Sequence, residues 1–335
     1  MTHAYIRHCA VSFVLFLLAA CGGGGPSGPP IRFTVPAGSG LSTIADTLEA
    51  RQIVKSAARF KLYARGKRAA ARIQPGVYEM QRGTEWAEIL RKLTTGDVVK
   101  TRVVIPEGWT VMQVAPRLAK AAGIPADSAL ELLSSEDAAN RRKVPGPTLE
   151  GYLYPATYVF PLGTSVDRMV DAMVGRYRRV WTPEMRARAQ ALRMDERQVV
   201  TLASIVEREA KVWEERPTIA AVYHNRLRVG MRLQADPTVQ YALGGNRARL
   251  LYRDIDAVKD NPYNTYTHAG LPPGPIASPS AGAIQATLNP APVDFVYFVA
   301  RPNGTHVFTR TLAEHNAAKR ASQAEARARA AAPAR

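Results

Sequence analysis

Asp195–Ala210 reads Asp-Glu-Arg-Gln-Val-Val-Thr-Leu-Ala-Ser-Ile-Val-Glu-Arg-Glu-Ala. The spacing predicts a helix. Asp195 is placed to cap the free amides, Gln198 to close a capping box, and Met194 and Val199 to clamp the entry as a hydrophobic staple. Val199, Leu202, Ala203, Val206 and Ala210 recur at helical spacing and make a buried stripe. Glu207 and Glu209 border it. Two residues are about 200° of helical rotation apart, so these carboxylates flank the stripe on opposite sides and cannot share one cleft. Arg208, between them, points away from the core. A carboxylate bordering an apolar face is a candidate general acid, because desolvation raises its pKa and keeps a proton available near neutrality. Ordinary flanking charges on an amphipathic helix leave the same trace, and periodicity does not choose between Glu207 and Glu209.

Outward from this helix, the chain begins with a targeting segment. Arg7 and His8 precede an apolar run, Ala10–Ala20, which at eleven residues is shorter than the ~20 needed to span a bilayer. It fits a secretory h-region. Leu18-Ala19-Ala20-Cys21 looks like a bacterial lipobox, with Cys21 as the lipidated first residue of the mature chain, although a plain signal peptide with a coincidental cysteine reads alike. Gly22–Pro30 is a Gly/Pro/Ser tether. Cys9 lies inside the signal, so the exported body has no disulfide and no thiol chemistry. The net charge is +17, spread over helix faces rather than packed in one block. For an exported protein nucleic acid is an unsuitable partner; a membrane surface of anionic headgroups or an acidic wall polymer is the natural counter-surface. A coding bias towards arginine and alanine gives the same excess.

Ile31–Val99 reads as a small α+β unit: a strand at Ile31–Val35, a helix at Leu41–Ala50, a helix carrying Phe60 and Tyr63, a strand entered through Gln74–Tyr78, and a helix Glu85–Leu93 capped by Thr84. Val35-Pro-Ala-Gly through Leu48 is echoed by Ile105-Pro-Glu-Gly through Leu118 at an offset of 70 residues. Each copy is a strand, a Pro-x-Gly turn and a helix. The pattern resembles LysM modules, which bind N-acetylglucosamine polymers, and suits a purely architectural role equally well. Ala126–Val144 is polar and helical, expected to be a mobile excursion. Leu149-Glu-Gly-Tyr-Leu-Tyr-Pro-Ala-Thr-Tyr158 does not suit a helix; it suits an irregular, aromatic-lined wall of the kind that grips sugar rings, or else a packed tyrosine-rich loop.

Val166–Val180 and Pro183–Leu192 are helices expected to pack on the central one. Thr218–Val229 is another, opened by Pro217 and stopped by Gly230. Asp236-Pro237 starts a further helix with Asp236 as its N-cap, leaving Gln234 in the preceding loop free to bond a ligand. Asn261–Pro279 cannot form regular structure, and long ordered loops of this kind tend to be functional. Ser280–Leu288 is helical, and Phe295–Ala300 and His306–Leu312 form a hairpin. From Asn316 the Ala/Arg tail reads as a fraying helix or disorder.

Five stretches then occur in one order: Glu150-Gly-Tyr-Leu-Tyr-Pro-Ala-Thr-Tyr158, Ala203-Ser-Ile-Val-Glu-Arg-Glu209, Asn225 through Val239, Tyr263-Asn-Thr-Tyr266 and Gly270-Leu-Pro-Pro-Gly-Pro-Ile-Ala277. Together they resemble the YceG-like family of endolytic murein transglycosylases, over about Ile31 to His315. The resemblance implies a membrane-anchored enzyme that cuts nascent peptidoglycan strands between MurNAc and GlcNAc, leaves 1,6-anhydro-MurNAc ends and so limits strand elongation. It implies a periplasmic catalytic domain, no cofactor or metal, and peptidoglycan synthases as neighbours. The family's catalytic glutamate lies in Ser-Ile-Val-Glu, here Glu207 and not Glu209. Gln234, Asn264 and Tyr266 would orient substrate, Tyr152 and Tyr154 would stack on it, and Asp236 or Glu150 would serve as any second carboxyl. The family is held by a transmembrane helix in the inner membrane, whereas this chain shows a lipobox.

The expected fold is α+β: a small LysM-like α/β subdomain and a mixed, helix-rich catalytic domain built around a buried central helix. The expected divisions are 1–21 signal, 22–30 tether, 31–99 LysM-like subdomain, 100–315 catalytic domain and 316–335 tail. Two other readings compete: a non-catalytic peptidoglycan-binding lipoprotein, and a metal hydrolase, for which His224, His268, His306 and His315 lack His-x-x-x-His spacing.

Overall fold

The computed structural model describes residues 25–245, 247 and 250–331. The signal segment with Cys21, and the start of the tether, lie outside the described residues. The chain divides into two compact units, one running to Thr101 and including Pro161–Gly163, the other made of the rest.

In the first unit β1 (Ser27–Val35), α1 (Leu41–Ala50), α2 (Ala57–Gly66), β2 (Gly76–Arg82) and α3 (Trp86–Thr95) follow in order. β1 and β2 pair antiparallel, with Ile31 opposite Met80 and Phe33 opposite Tyr78. Alternation puts Phe33, Val35, Tyr78 and Met80 on one face, which Ile44 and Leu48 of α1, Phe60 of α2 and Ile89 and Leu93 of α3 cover. Two expectations are corrected here. The tether stops short of Pro30, because β1 already begins at Ser27, which pairs with Arg82. Thr84 does not cap α3; its hydroxyl donates to the Gln81 carbonyl (2.7 Å) and accepts from the Gln81 amide, closing the turn, while Glu85 sits at the N-cap.

The second unit contains β3 (Lys100–Ile105), α4 (Val111–Ala122), α5 (Ala126–Ser134), α6 (Glu136–Arg141), β4 (Ala156–Pro161), α7 (Val166–Val180), α8 (Pro183–Ala191), α9 (Glu196–Glu209), α10 (Arg216–Arg228), α11 (Asp236–Ala242), α12 (Tyr252–Ala257), α13 (Ala281–Leu288), β5 (Tyr297–Ala300), β6 (His306–Thr309) and α14 (Leu312–Ala331). β3 pairs with β4 and β5 with β6. The sequence echo is thus an echo of topology: strand, Pro-x-Gly turn and helices, followed by a strand that pairs back.

α9 organises this unit. The capping box forms, with the Gln198 amide donating to Asp195 Oδ1 (2.7 Å) and the Asp195 amide to Gln198 Oε1 (2.9 Å). Every residue from Val199 to Val206 is buried, so the helix is covered all round rather than along one stripe. Val199, Val200 and Ala203 enter one core with residues of α4, α5, α7 and α13; Leu202, Ile205 and Val206 enter another with Ile219, Ala220 and Tyr223 of α10. α9 is the partition between the two.

The segment expected as a mobile excursion is α5 and α6, and Ala129, Leu133, Ala138 and Ala139 are buried in the first of these cores. Arg142 locks it down, donating to Asp167 (2.6 Å) and Asp171 (2.8 Å) on α7. The expected tail is also ordered: α14 continues through Asn316 to Ala331, well into the span read as fraying.

Replacing Asp195 by Ala should lower stability by about 1 kcal/mol, and by Asn much less, because Asn still accepts the cap hydrogen bond. Urea denaturation of the three chains measures this; equal midpoints would show that the box is dispensable.

Candidate functional site

The two glutamates at the end of α9 meet opposite fates. Glu207 faces α10 and α13. Its Oε1 accepts from the Arg216 guanidinium (2.6 Å); its Oε2 accepts from the Ser280 amide (2.9 Å) and hydroxyl (2.6 Å). Both side chains of the Glu207–Arg216 pair are nearly enclosed, at 6 % and 5 % exposure. Arg216 also donates to Ser280 Oγ (3.1 Å) and lies over the Trp213 ring at 4.1 Å. Ser280 is the N-cap of α13. Glu207 is therefore a strut joining three helices, with both oxygens occupied.

Glu209 points the other way, to a cavity of about 520 Å³ whose lining includes Gln234, Asp236, Tyr266, Tyr223, Arg226 and His306. The Tyr223 hydroxyl donates to Glu209 Oε1 (3.0 Å). Burial pushes the Glu209 carboxyl up to about 7, and the negative charge of Asp236 adds to the rise, against lowering by Tyr223, Arg226 and Arg208. It is a carboxyl that holds a proton near neutrality beside a sugar-sized space.

The opposing groups are delivered by a stitched pair of loops. The Gln234 amide donates to the Thr265 carbonyl (3.1 Å) and the Ala235 amide to Thr265 Oγ1 (3.0 Å), while Thr238 Oγ1 and Thr265 Oγ1 lie 2.8 Å apart. Gln234 takes a left-handed backbone, φ +48°, which throws its side chain outward to the cavity. Asp236 is not the N-cap of α11; Ala235 holds that position, and Asp236, in the first turn, accepts from the Tyr266 hydroxyl at 2.5 Å. Burial and the nearby Asp236 raise the Tyr266 phenol, so it remains a donor. The functional loop is itself pinned to α9, since the Ile276 amide donates to Ser204 Oγ (3.0 Å).

The structure thus brings Gln234, Asp236 and Tyr266 together, but around Glu209. Three other expected residues, Asn264, Glu150 and Tyr152, are corrected. Asn264 is fully buried and spends its amide on the Ile255 and Val258 carbonyls (3.0 and 3.1 Å) and its oxygen on the Tyr266 amide (3.0 Å), so it shapes the loop and cannot reach a ligand. Glu150 is 4 % exposed, and both its oxygens accept from the Val111 amide at the start of α4 (3.0 and 3.2 Å). Burial raises its carboxyl to about 8. Tyr152 is fully buried, edge-on to Tyr177 at 5.2 Å, and is no stacking surface. Tyr154 is half-buried against the same core with the Arg176 guanidinium 5.6 Å from its ring centre. The aromatic stretch is a packed corner, tightened at Gly151, where φ is +84° and a Cβ would lie 2.4 Å from Pro275.

Not read from sequence as lining residues were Tyr223, Arg226, Lys319 and the exposed Tyr252, nor His306 and His315, which were weighed only as metal ligands. They come from α10, β6, α14 and α12, and no local spacing announces them.

With this geometry in view, comparison with known proteins is decisive. The chain belongs to the YceG-like family, whose model matches residues 33–321. An endolytic murein transglycosylase of Bacillus subtilis (strain 168) is 35 % identical over 308 residues, 86 % of this chain and 84 % of that protein. One from Streptococcus pneumoniae (strain D39) is 28 % identical, over 93 % of this chain and 66 % of its own length. The crystal structure of a YceG-like protein from Listeria monocytogenes aligns with a TM-score of 0.59 at 32 % identity, covering 87 % of this chain and 99 % of that one. The α+β fold is that of the family.

Two measurements test the division of labour. Arg216→Met should destabilise the chain by about 3–5 kcal/mol, because it strands Glu207 as a buried, unpaired charge; loss of under about 1 kcal/mol would mean that the strut carries little. For Glu209, a carboxyl raised to about 7 against an ordinary value near 4.5 binds its proton more tightly in the folded state. It therefore withdraws stability as pH rises from about 4.5 to 7. Glu209→Gln removes that slope, so the variant should gain stability relative to the parent across this window; parallel melting curves would contradict the placement.

Proposed function

We propose that this chain is a peptidoglycan lytic endotransglycosylase. It cuts glycan strands between MurNAc and GlcNAc, leaves 1,6-anhydro-MurNAc ends and limits strand elongation, with Glu209 as its general acid and base. The observation that carries the reading is the Glu209 carboxyl, raised to about 7 at the wall of a cavity of about 520 Å³. Membership of the YceG-like family, and relatives named endolytic murein transglycosylases, support the substrate.

Protonated Glu209 donates to the glycosidic oxygen. The C1–O bond breaks, the GlcNAc hydroxyl leaves, and positive charge grows on the muramyl ring. The muramyl C6 hydroxyl then attacks C1 and returns its proton to the Glu209 carboxylate. No water is consumed, and the nucleophile belongs to the substrate, so a second catalytic carboxyl at glycosidase spacing is unnecessary. Asp236, steadied by Tyr266, supplies negative charge beside the growing cation. Gln234 offers an exposed amide to sugar hydroxyls. On the same reading the first unit grips glycan in the manner of LysM, Cys21 carries lipid, and the body works in the periplasm at the membrane surface beside peptidoglycan synthases. No helix among the described residues is long and apolar enough to cross a membrane. A non-catalytic wall binder would have no use for a carboxyl held near 7 at a cavity wall.

Glu209→Gln should cut release of anhydro-muropeptides from purified glycan by at least about 100-fold, the lower range for general acid–base catalysis, with binding retained. Mass spectrometry distinguishes the products, since an anhydro end is one water lighter than a hydrolysed one. Undiminished release from Glu209→Gln would remove Glu209 from the chemistry; release that fails only in a folded Glu207→Gln chain would return the role to Glu207.

A further inference from the structure

The proposed reaction uses Glu209, Asp236 and Tyr266, but the same cavity has a second chemical character. Arg226 of α10 is 7 % exposed, and its guanidinium donates to the Val296 and Leu233 carbonyls, 2.7 Å each. His315 and Lys319 lie one turn apart on α14 and line the same cavity. Among the described residues His306, on the same wall, is paired with Glu215 at 2.7 Å, whereas Arg226, His315 and Lys319 have no carboxylate at ion-pair distance.

His315 adds an independent sign. Its Nδ1 is buried with no hydrogen-bond partner, while the ring rests against Tyr297 at 5.1 Å. Burial lowers its proton affinity, and the charges of Lys319 and Arg226 press in the same direction. Arg226, Lys319 and an unsatisfied imidazole thus share one cavity with the carboxyls of Glu209 and Asp236, and none of the three is tied to either by an ion pair. A guanidinium only 7 % exposed, with no carboxylate at ion-pair distance, is a ready partner for an anionic ligand.

We propose that Arg226, His315 and Lys319 form a subsite for an anionic group carried by the glycan strand, a carboxylate of the peptide stem or a phosphate. The inference rests on the reading that the cavity takes peptidoglycan, and it goes further: the subsite sets the register of cleavage. The two sugars of the alternating polymer share their N-acetyl groups, and only the muramoyl residue carries a lactyl ether with its peptide. An anion held at this corner places that residue beside Glu209, and so decides which of the two glycosidic linkages meets the acid. Lys319, exposed at the rim, meets the anion first, and Arg226, rigidly held by carbonyls, gives it a fixed position.

The test measures binding to the full chain carrying Glu209→Gln, so that no turnover occurs. Three glycan oligomers of one length serve as probes: one with peptide stems, one stripped by an amidase, and one stripped but ending in a diphosphate. Adding Lys319→Ala and His315→Gln should weaken the stem-bearing oligomer about tenfold, the scale of one lost charge-assisted hydrogen bond, and leave the stripped one within about twofold. Loss confined to the diphosphate oligomer supports the subsite with phosphate as its ligand. Added salt should weaken the stem-bearing complex in the parent and much less in the double variant, a readout that general loosening of α14 does not produce. Unchanged affinity for all three oligomers, or an equal loss on all three, overturns the subsite. A Glu209→Gln chain that binds none of them overturns the functional reading, and the subsite with it.

Discussion

A helix buried on every side cannot end in two uncompensated negative charges. That constraint governs the last turn of α9. Glu207 is neutralised by a cation, through the 2.6 Å contact with Arg216. At Glu209 burial and the Asp236 charge push the carboxyl up to about 7, so that a proton partly relieves the charge near neutrality. The two solutions have different consequences. An ion pair with both oxygens engaged is suited to a mechanical joint; a carboxyl raised towards neutrality is a candidate reagent. The same requirement, answered twice within three residues, separates scaffold from chemistry.

The joint also serves the reagent. Glu207 ties α9 to α10 through Arg216 and to the N-cap of α13 through Ser280. α10 carries Tyr223, which donates to Glu209, and Arg226, which lies on the same cavity wall. The rotation of α9 that points Glu209 into the cavity is thus held two residues earlier, about half a turn, by a contact buried from solvent. Ser204 adds a second tie, to the Ile276 amide of the functional loop. A general acid is useful only when it is held to within a fraction of an ångström of the productive position. Placing it at the end of a helix that partitions two cores meets that demand without a rigid loop.

Much of this was legible in the chain. The Asp195–Gln198 box appears as read, while the stripe of Val199, Leu202, Ala203 and Val206 announced one buried face of a helix that is covered all round from Val199 to Val206, with Ala210 left half-buried. The opposed directions of Glu207 and Glu209 follow from helical geometry alone. What one-dimensional reading could not supply is the partner each direction finds. Arg216 lies nine residues from Glu207, and Ser280 lies seventy-three away. The tyrosines near residue 152 misled because an aromatic, Gly- and Pro-containing stretch has the same composition whether it lines a groove or fills a corner. Only the burial of Tyr152 against Tyr177 decides. The Ala/Arg tail misled for the converse reason. α14 has weak amphipathic patterning, yet it packs on the β5–β6 hairpin and brings His315 and Lys319 to the cavity.

The pairing of Glu209 with Asp236 raises a question of proton ownership. Two carboxyls that feel each other's charge do not ionise independently, and the environment decides which keeps the proton. Glu209 is half-buried and receives one tyrosine hydrogen bond at 3.0 Å. Asp236 is exposed and receives one at 2.5 Å. Burial favours the proton on Glu209, and the Asp236 charge beside it adds to the rise. The asymmetry has a direction in the reaction as well. On the proposed mechanism, loss of the Glu209 proton would leave a second negative charge beside Asp236, and that repulsion would favour recovery of a proton from the substrate hydroxyl. On that mechanism Tyr266 would act through Asp236: its hydrogen bond holds the charge that would keep Glu209 a strong enough base to finish what it began as an acid.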